Sequence, residues 1–123
     1  MITQEFLSQC SDEQINKGVA WLECKKSDIN NGLFGSWVMI NDQPTWHGRY
    51  FKPSSYPNDI MPIAFANEIS IEKEEGEEEW CAMSGVRYAD GYYYPVQAYD
   101  MFSTNTNPLR AICEVYILMS VNK

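Results

Sequence analysis

The chain of 123 residues and 14.2 kDa fits one domain with a single core and leaves no room for a second domain of ordinary size. A composition 45% hydrophobic and 21% charged can offset ordering entropy by burial, which argues against a disordered chain, and no apolar run approaches the roughly 20 residues that cross a bilayer. The formal charge of −8 disfavours broad contact with nucleic-acid phosphates or anionic lipid, so neither a membrane nor direct nucleic acid is an expected partner.

The acidity is local. Glu68 to Glu79 (EISIEKEEGEEE) carries seven glutamates and one lysine, net −6, which leaves −2 for everything else. The N-terminus MITQEFLSQC lacks a basic region followed by an apolar one, and a soluble intracellular protein is expected. Cys10, Cys24, Cys81 and Cys113 are widely spread and never form C-x-x-C. They read as reduced, mostly buried thiols, not as zinc ligands or a disulfide framework.

In chain order, Ser11 opens the segment SDEQINKGVAWLECKK, with Asp12 and Glu13 in the first turn, Gln14 three residues after Ser11, and Lys25 and Lys26 at the end. A capping box and charges that match the helix dipole predict a helix here. Ile15, Val19 and Leu22 form its apolar stripe, while Asn16, Lys17 and Glu23 lie elsewhere. Trp21 is off the stripe and available for a second contact, within the chain or with another subunit. Ser27 to Gly35 is turn-rich. SWVMI and TWHGRYF then flank the polar NDQP turn and predict a β-hairpin. Regular alternation in the second arm puts Trp46, Gly48 and Tyr50 on one face and Thr45, His47, Arg49 and Phe51 on the other.

The two prolines of Lys52 to Asp59 (KPSSYPND) prevent regular structure, but Asn58 or Asp59 can cap a short helical turn into IMPIAFAN, limited in length by Pro62. Glu68 to Glu74 and Glu77 to Ser84 read as two strands around Gly76, with Ile69 and Ile71 on one face and the glutamates solvated. Asp90-Gly91 signals a hairpin turn between VRYA and YYYPV. Asn107-Pro108 supplies a cap followed by proline at the first position of a last helix, LRAICEVYILMSV. That helix is apolar nearly all round and should be almost wholly buried, in part against another subunit. The predicted fold is therefore α+β over residues 1–123: an N-terminal helix, central antiparallel hairpins or sheet, and a buried C-terminal helix.

Chemistry has few places to reside. His47 is the only histidine, and the sequence contains no G-x-G-x-x-G, P-loop, H-E-x-x-H or G-x-S-x-G. A glutamate run that stays solvated lacks the burial that shifts a carboxyl pKa. No enzyme, metal or cofactor is expected; a hydrolase resting on His47 and scattered acids is the least favoured reading. What remains is a supply of rings beside cations and amides: Trp46, His47, Arg49, Tyr50 and Phe51, then Lys52, Tyr56, Asn58 and Asp59, then Arg87, Tyr88 and Tyr92 to Tyr94. Rings stack on bases, Arg clamps phosphate, and Asn or Asp reads a base edge or ribose hydroxyl.

Ser11-Asp12 with Ile15-Asn16-Lys17 and Val19-Ala20, Asn58-Asp59 with Pro62-Ile63, Asn67 with Ile69-Ser70-Ile71, and Asn107-Pro108-Leu109-Arg110-Ala111 together resemble the NinX-like family of small tailed-bacteriophage proteins. The resemblance spans most of the chain in order. Its most telling parts are S-D-x-x-I-N-K-x-V-A and N-P-L-R-A. Where the family usually shows N-P-A-D-x-W-P-I, this chain reads YPNDIMPI, and its glutamate hairpin is longer. The resemblance implies a phage origin and action in the host bacterial cytoplasm, and it carries no catalytic residues over.

These readings lead to a non-enzymatic homo-oligomer that binds a small nucleotide-like signalling molecule and counters a host defence. Trp46, Tyr50 or Tyr56 would stack, Arg49 and Lys52 would contact phosphate, and Asn58 and Asp59 would contact base or ribose. The alternative is an inhibitor of a host protein that presents the Glu72 to Glu79 hairpin to a basic surface.

Overall fold

A computed structural model of the chain describes residues 2–30, 38–40, 43–46, 49–84, 86–89, 92–95 and 101–121. The architecture is α+β, with helices toward both ends and antiparallel strands between them. No helix of the described residues is long and apolar enough to cross a membrane.

The expected capping box is present and reciprocal. Gln14 N donates to Ser11 Oγ at 3.1 Å, and Ser11 N donates to Gln14 Oε1 at 2.8 Å. The helix that follows, α2 (Asp12–Asn30), is preceded by a short α1 (Gln4–Ser8) that the sequence pattern did not announce. It also runs past Lys26 into the stretch expected to turn. Ser27 to Asn30 contain neither Gly nor Pro, and such residues cost a helix only a few tenths of a kcal/mol each, so the first strong breaker is Gly32.

Ile15 and Val19 of the predicted stripe are fully buried and Leu22 is half-buried, but the buried face is wider than the apolar pattern. Asn16 and Glu23, expected to lie off the core, are both inside it. Each is accommodated by a hydrogen bond, as buried polar groups must be. Asn16 Oδ1 accepts from Ser54 N at 2.9 Å, and Glu23 Oε1 accepts from the Tyr116 hydroxyl. Gly18 faces the last helix closely: a Cβ there would stand 3.3 Å from Ile117 Cδ1.

That last helix is α4 (Pro108–Val121), begun as predicted by Asn107, whose Oδ1 accepts from Leu109 N at 3.0 Å. Residues 110–118 are buried without a break. The helix packs on α2, on α3 (Pro57–Ala66) and on a three-stranded antiparallel sheet of β4 (Ile69–Glu72), β5 (Trp80–Ser84) and β8 (Phe102–Asn105), in the order β4-β5-β8. The chain itself thus covers the apolar surface that suggested a second subunit. Arg110, a buried guanidinium, ties this centre together. It donates to Asp12 Oδ1 at 2.6 Å, Glu114 Oε2 at 3.1 Å, Leu7 O at 2.9 Å and Cys10 O at 2.6 Å. Glu114, fully buried, also accepts from Ser103 Oγ of β8 at 2.9 Å.

β4 and β5 pair around Gly76 as expected, with Ile71 opposite Ala82 and Glu72 opposite Cys81. Gly76 has φ of +87°, and Glu77 N donates to Glu74 O at 3.1 Å, the pattern of a type II turn that favours glycine at its third position. Residues 71–79 are all exposed. β8 was not anticipated; it pairs with β5 from Trp80–Asn105 to Met83–Phe102.

Two smaller sheets, among the described residues, are not hydrogen-bonded to the β4-β5-β8 sheet. β6 (Val86–Ala89) and β7 (Tyr92–Pro95) pair antiparallel with Ala89 opposite Tyr92, and the expected Asp90-Gly91 turn between them lies outside the described residues. β1 (Val38–Ile40) and β2 (Gln43–Trp46) pair with Ile40 opposite Gln43, so Gln43 and Pro44, expected in the turn, belong to the strand. The second arm is not one regular strand. The chain reverses after Trp46, and β3 (Arg49–Tyr50) pairs back on β2, Trp46 opposite Arg49 and Thr45 opposite Tyr50, which removes the expected alternation of faces.

Of the cysteines, Cys113 is buried, whereas Cys10 and Cys81 are half-buried and Cys24's side chain lies outside the described residues. All three described thiols are free.

Candidate functional site

The expected binding residues fall where β3 runs into the proline-bounded loop and α3. Phe51, Pro53 and Ser54 are buried and anchor the loop, and its tip is pinned from two helices: Asn16 holds Ser54 N, and Asn107 Nδ2 donates to Ser54 O at 2.7 Å. Lys52 O accepts from Ser55 N at 2.9 Å and Tyr56 N at 2.8 Å, closing a turn. The loop therefore has a fixed shape despite its prolines.

Tyr56, not Asn58 or Asp59, occupies the N-cap of α3, with Pro57 at the first helical position and no side-chain capping bond. Proline presets the helical φ, and its missing N–H is one that a helix start leaves unbonded in any case. Pro62 does not end the helix, which continues to Ala66. It removes only the single bond that residue 62 would make to the carbonyl of residue 58. Helix placement, instead of capping, carries Asp59 into the interior with no exposed surface.

Arg49 and Asp59 meet in a two-armed ion pair. Arg49 Nη1 donates to Asp59 Oδ2 at 2.9 Å and Nη2 donates to Oδ1. Lys52 N also donates to Asp59 Oδ2, at 2.9 Å. The hydrogen bond that Arg49 donates to Asp59 raises the Arg49 pKa further, outweighing the opposing effect of burial. The guanidinium lies 5.6 Å from the centroid of the Tyr56 ring, within cation–π range.

Arg49, Tyr50, Lys52, Tyr56, Pro57 and Asn58 line an open groove of about 620 Å³. Five of the seven expected residues are thus gathered at one place. Tyr50 and Tyr56 are 41% and 44% exposed, so their rings offer surface to a ligand. The Lys52 ammonium and the Asn58 amide make no hydrogen bond or ion pair among the described residues. Asp59 lies beneath the groove, where it orients Arg49 and presents no surface for a base or ribose. Trp46 pairs through its backbone with Arg49, but its side chain is outside the described residues. His47 and the side chains of Arg87, Tyr88 and Tyr92 to Tyr94 are outside them too. Pro57 was not among the expected residues, although Y-P before a helical run marks a preset turn beside an exposed ring.

The six lining residues include no carboxylate, thiol or imidazole. Among the described residues, no group of three or more His, Cys, Asp or Glu is placed to hold a metal ion. Two rings, a positioned guanidinium, an ammonium and an amide suit retention of a planar anion. No family model and no curated protein matches the chain.

Proposed function

We propose that this protein binds and sequesters a small nucleotide-like molecule in the Arg49–Asn58 groove without breaking a bond. The observation that carries this reading is the convergence of the exposed Tyr50 and Tyr56 rings with Arg49 and the Lys52 ammonium in one groove. A base stacks on a tyrosine ring, phosphate oxygens meet the ammonium and the rim of the guanidinium, and the Asn58 amide reads a base edge or ribose hydroxyl. The likeness of the Ser11 to Ala20 and Asn107 to Ala111 segments to NinX-like proteins supports a phage accessory role in the host bacterial cytoplasm, in which removal of a nucleotide signal counters a host defence. Association of copies now rests on Trp21 and Phe6, exposed by 59% and 56%, since α4 no longer calls for a partner.

Calorimetric titration with a panel of cyclic and linear nucleotides tests the reading. Lys52→Gln and Asn58→Ala, both at exposed side chains, should each weaken capture by about tenfold, the scale of one hydrogen bond to a charged or polar ligand group, with an unchanged Tm. Absence of any nucleotide binding by the parent protein contradicts it.

The acidic hairpin supports a second reading. Glu72, Glu74, Glu75, Glu77, Glu78 and Glu79 are all exposed around the Gly76 turn, a form suited to docking on a basic host protein.

A further inference from the structure

A second, smaller cleft of about 240 Å³ adjoins the loop, lined in part by Asp12, Glu13, Asn16, Lys17, Lys52 and Ser55. Lys52 lines both depressions. The chain divides its residues between them: Tyr50 and Tyr56 line the groove, while Phe51 and Ser55 line the cleft. An ammonium without an ion-pair partner among the described residues therefore stands between a ring-lined groove and a polar cleft.

The cleft also offers an open hydrogen-bond donor. Asn16 is only 8% exposed and spends its Oδ1 on Ser54 N, yet its Nδ2 makes no hydrogen bond among the described residues. That donor is held in place by the Oδ1 bond and can meet an acceptor on a ligand. The Asp12 carboxylate, held by Arg110, and the Glu13 carboxylate, 3.5 Å from Lys17 Nζ, accept hydrogen bonds, and with Lys17 and Lys52 the charges of the lining side chains balance. The cleft thus suits an uncharged moiety carrying both hydroxyl donors and an acceptor, such as a ribose or nucleoside.

We infer that groove and cleft form one bipartite site for a phosphodiester-linked dinucleotide. One base stacks in the groove, the bridging phosphate sits over Lys52, and the second nucleoside enters the cleft against Asn16, Ser55 and the Asp12–Glu13 pair. This rests on the nucleotide-binding reading above and specifies its ligand class.

The test compares two probes of equal charge, the methyl ester of adenosine 5′-monophosphate and the dinucleoside monophosphate adenylyl-3′,5′-adenosine, by titration calorimetry on the full chain. The parent protein should bind the dinucleoside at least about tenfold more tightly, the scale of one or two added hydrogen bonds with contact area. Asn16→Asp keeps the acceptor for Ser54 N, removes the donor and adds a negative charge; it should reduce dinucleoside affinity by a larger factor than it reduces methyl ester affinity. Ser55→Ala, at an exposed hydroxyl, should do the same in part with an unaltered Tm, and it decides the matter if Asn16→Asp fails to fold. Equal affinity of the parent for the two probes, or a Ser55→Ala protein that binds the dinucleoside as tightly as the parent, overturns the bipartite site while the nucleotide groove stands. Binding of neither probe overturns both.

Discussion

Arg49 grips Asp59 with both arms of its guanidinium, across the junction between β3 and the first turn of α3. The sequence offers Arg49 as a phosphate fork and Asp59 as a ribose contact. The structure gives the pair a prior task, which is to join two elements and fix the wall of the groove.

The pair therefore carries stability as well as any ligand contact. Arg49→Ala leaves the buried Asp59 carboxylate with only the Lys52 amide as a charged-state partner of those described above. It should destabilise the fold by about 1–3 kcal/mol, a range reduced from that of a fully buried ion pair because Arg49 is partly exposed. Urea denaturation of Arg49→Ala, Asp59→Asn and the double variant checks this: the double variant should cost clearly less than the sum of the singles. Additive costs would show that the pair is not coupled. For the same reason loss of ligand in Arg49→Ala alone is a weaker test of the groove than loss in Lys52→Gln.

Tyr116 and Glu23 set an alkaline limit. Burial, and then the hydrogen bond to Glu23, push the Tyr116 phenol well above its ordinary 10.0, and burial likewise raises the Cys113 thiol above 9.0. Both groups hold their protons more tightly when folded, so this stability is complete below about pH 9 and is lost as pH rises above each unfolded value. Folding free energy should fall above pH 10 by about 1.4 kcal/mol per pH unit for the tyrosine alone. Tyr116→Phe should be less stable at pH 7, by about 1–3 kcal/mol, but decline less steeply between pH 10 and 11. Equal alkaline slopes for the two proteins would contradict this assignment.

The main elements were legible because local signals and burial agree. Ser11–Gln14, Asn107-Pro108, Gly76 and Asp90-Gly91 each mark a boundary by their own chemistry, and the elements they bound are present. Polar residues at the centre were not legible. Asn16 and Glu23 read as lying off the core, and only long-range partners make their burial tolerable; the partners of Arg110 and Glu114 in the last helix were equally hidden. The same holds for Asp59, whose partner Arg49 lies on another element. Short strands such as β8 and the reversal after Trp46 carry too few residues to show a period. The groove was legible as a cluster of residue types near one loop; the division of that cluster between lining and support was not.

The glutamate hairpin separates the two functional readings. Glu74, Glu75, Glu77 and Glu78 are exposed, and replacing all four with Gln removes their charge while retaining shape. Nucleotide affinity should then hold or rise slightly, since four negative charges no longer oppose an anion over the reach of the Debye length. Loss of activity against the host system with intact folding and intact nucleotide binding would favour the protein-inhibitor reading.

The central claim is a location, and amide chemical shifts report location directly. Addition of cyclic and linear nucleotides to the isotopically labelled protein should shift amides of residues 49–58 in a saturable manner, with the sheet β4-β5-β8 and the glutamate hairpin unaffected. Lys52→Gln should move the same amides only at higher ligand concentration. No saturable shift with any nucleotide, or shifts confined to a surface away from Arg49, Tyr56 and Asn58, would contradict the account.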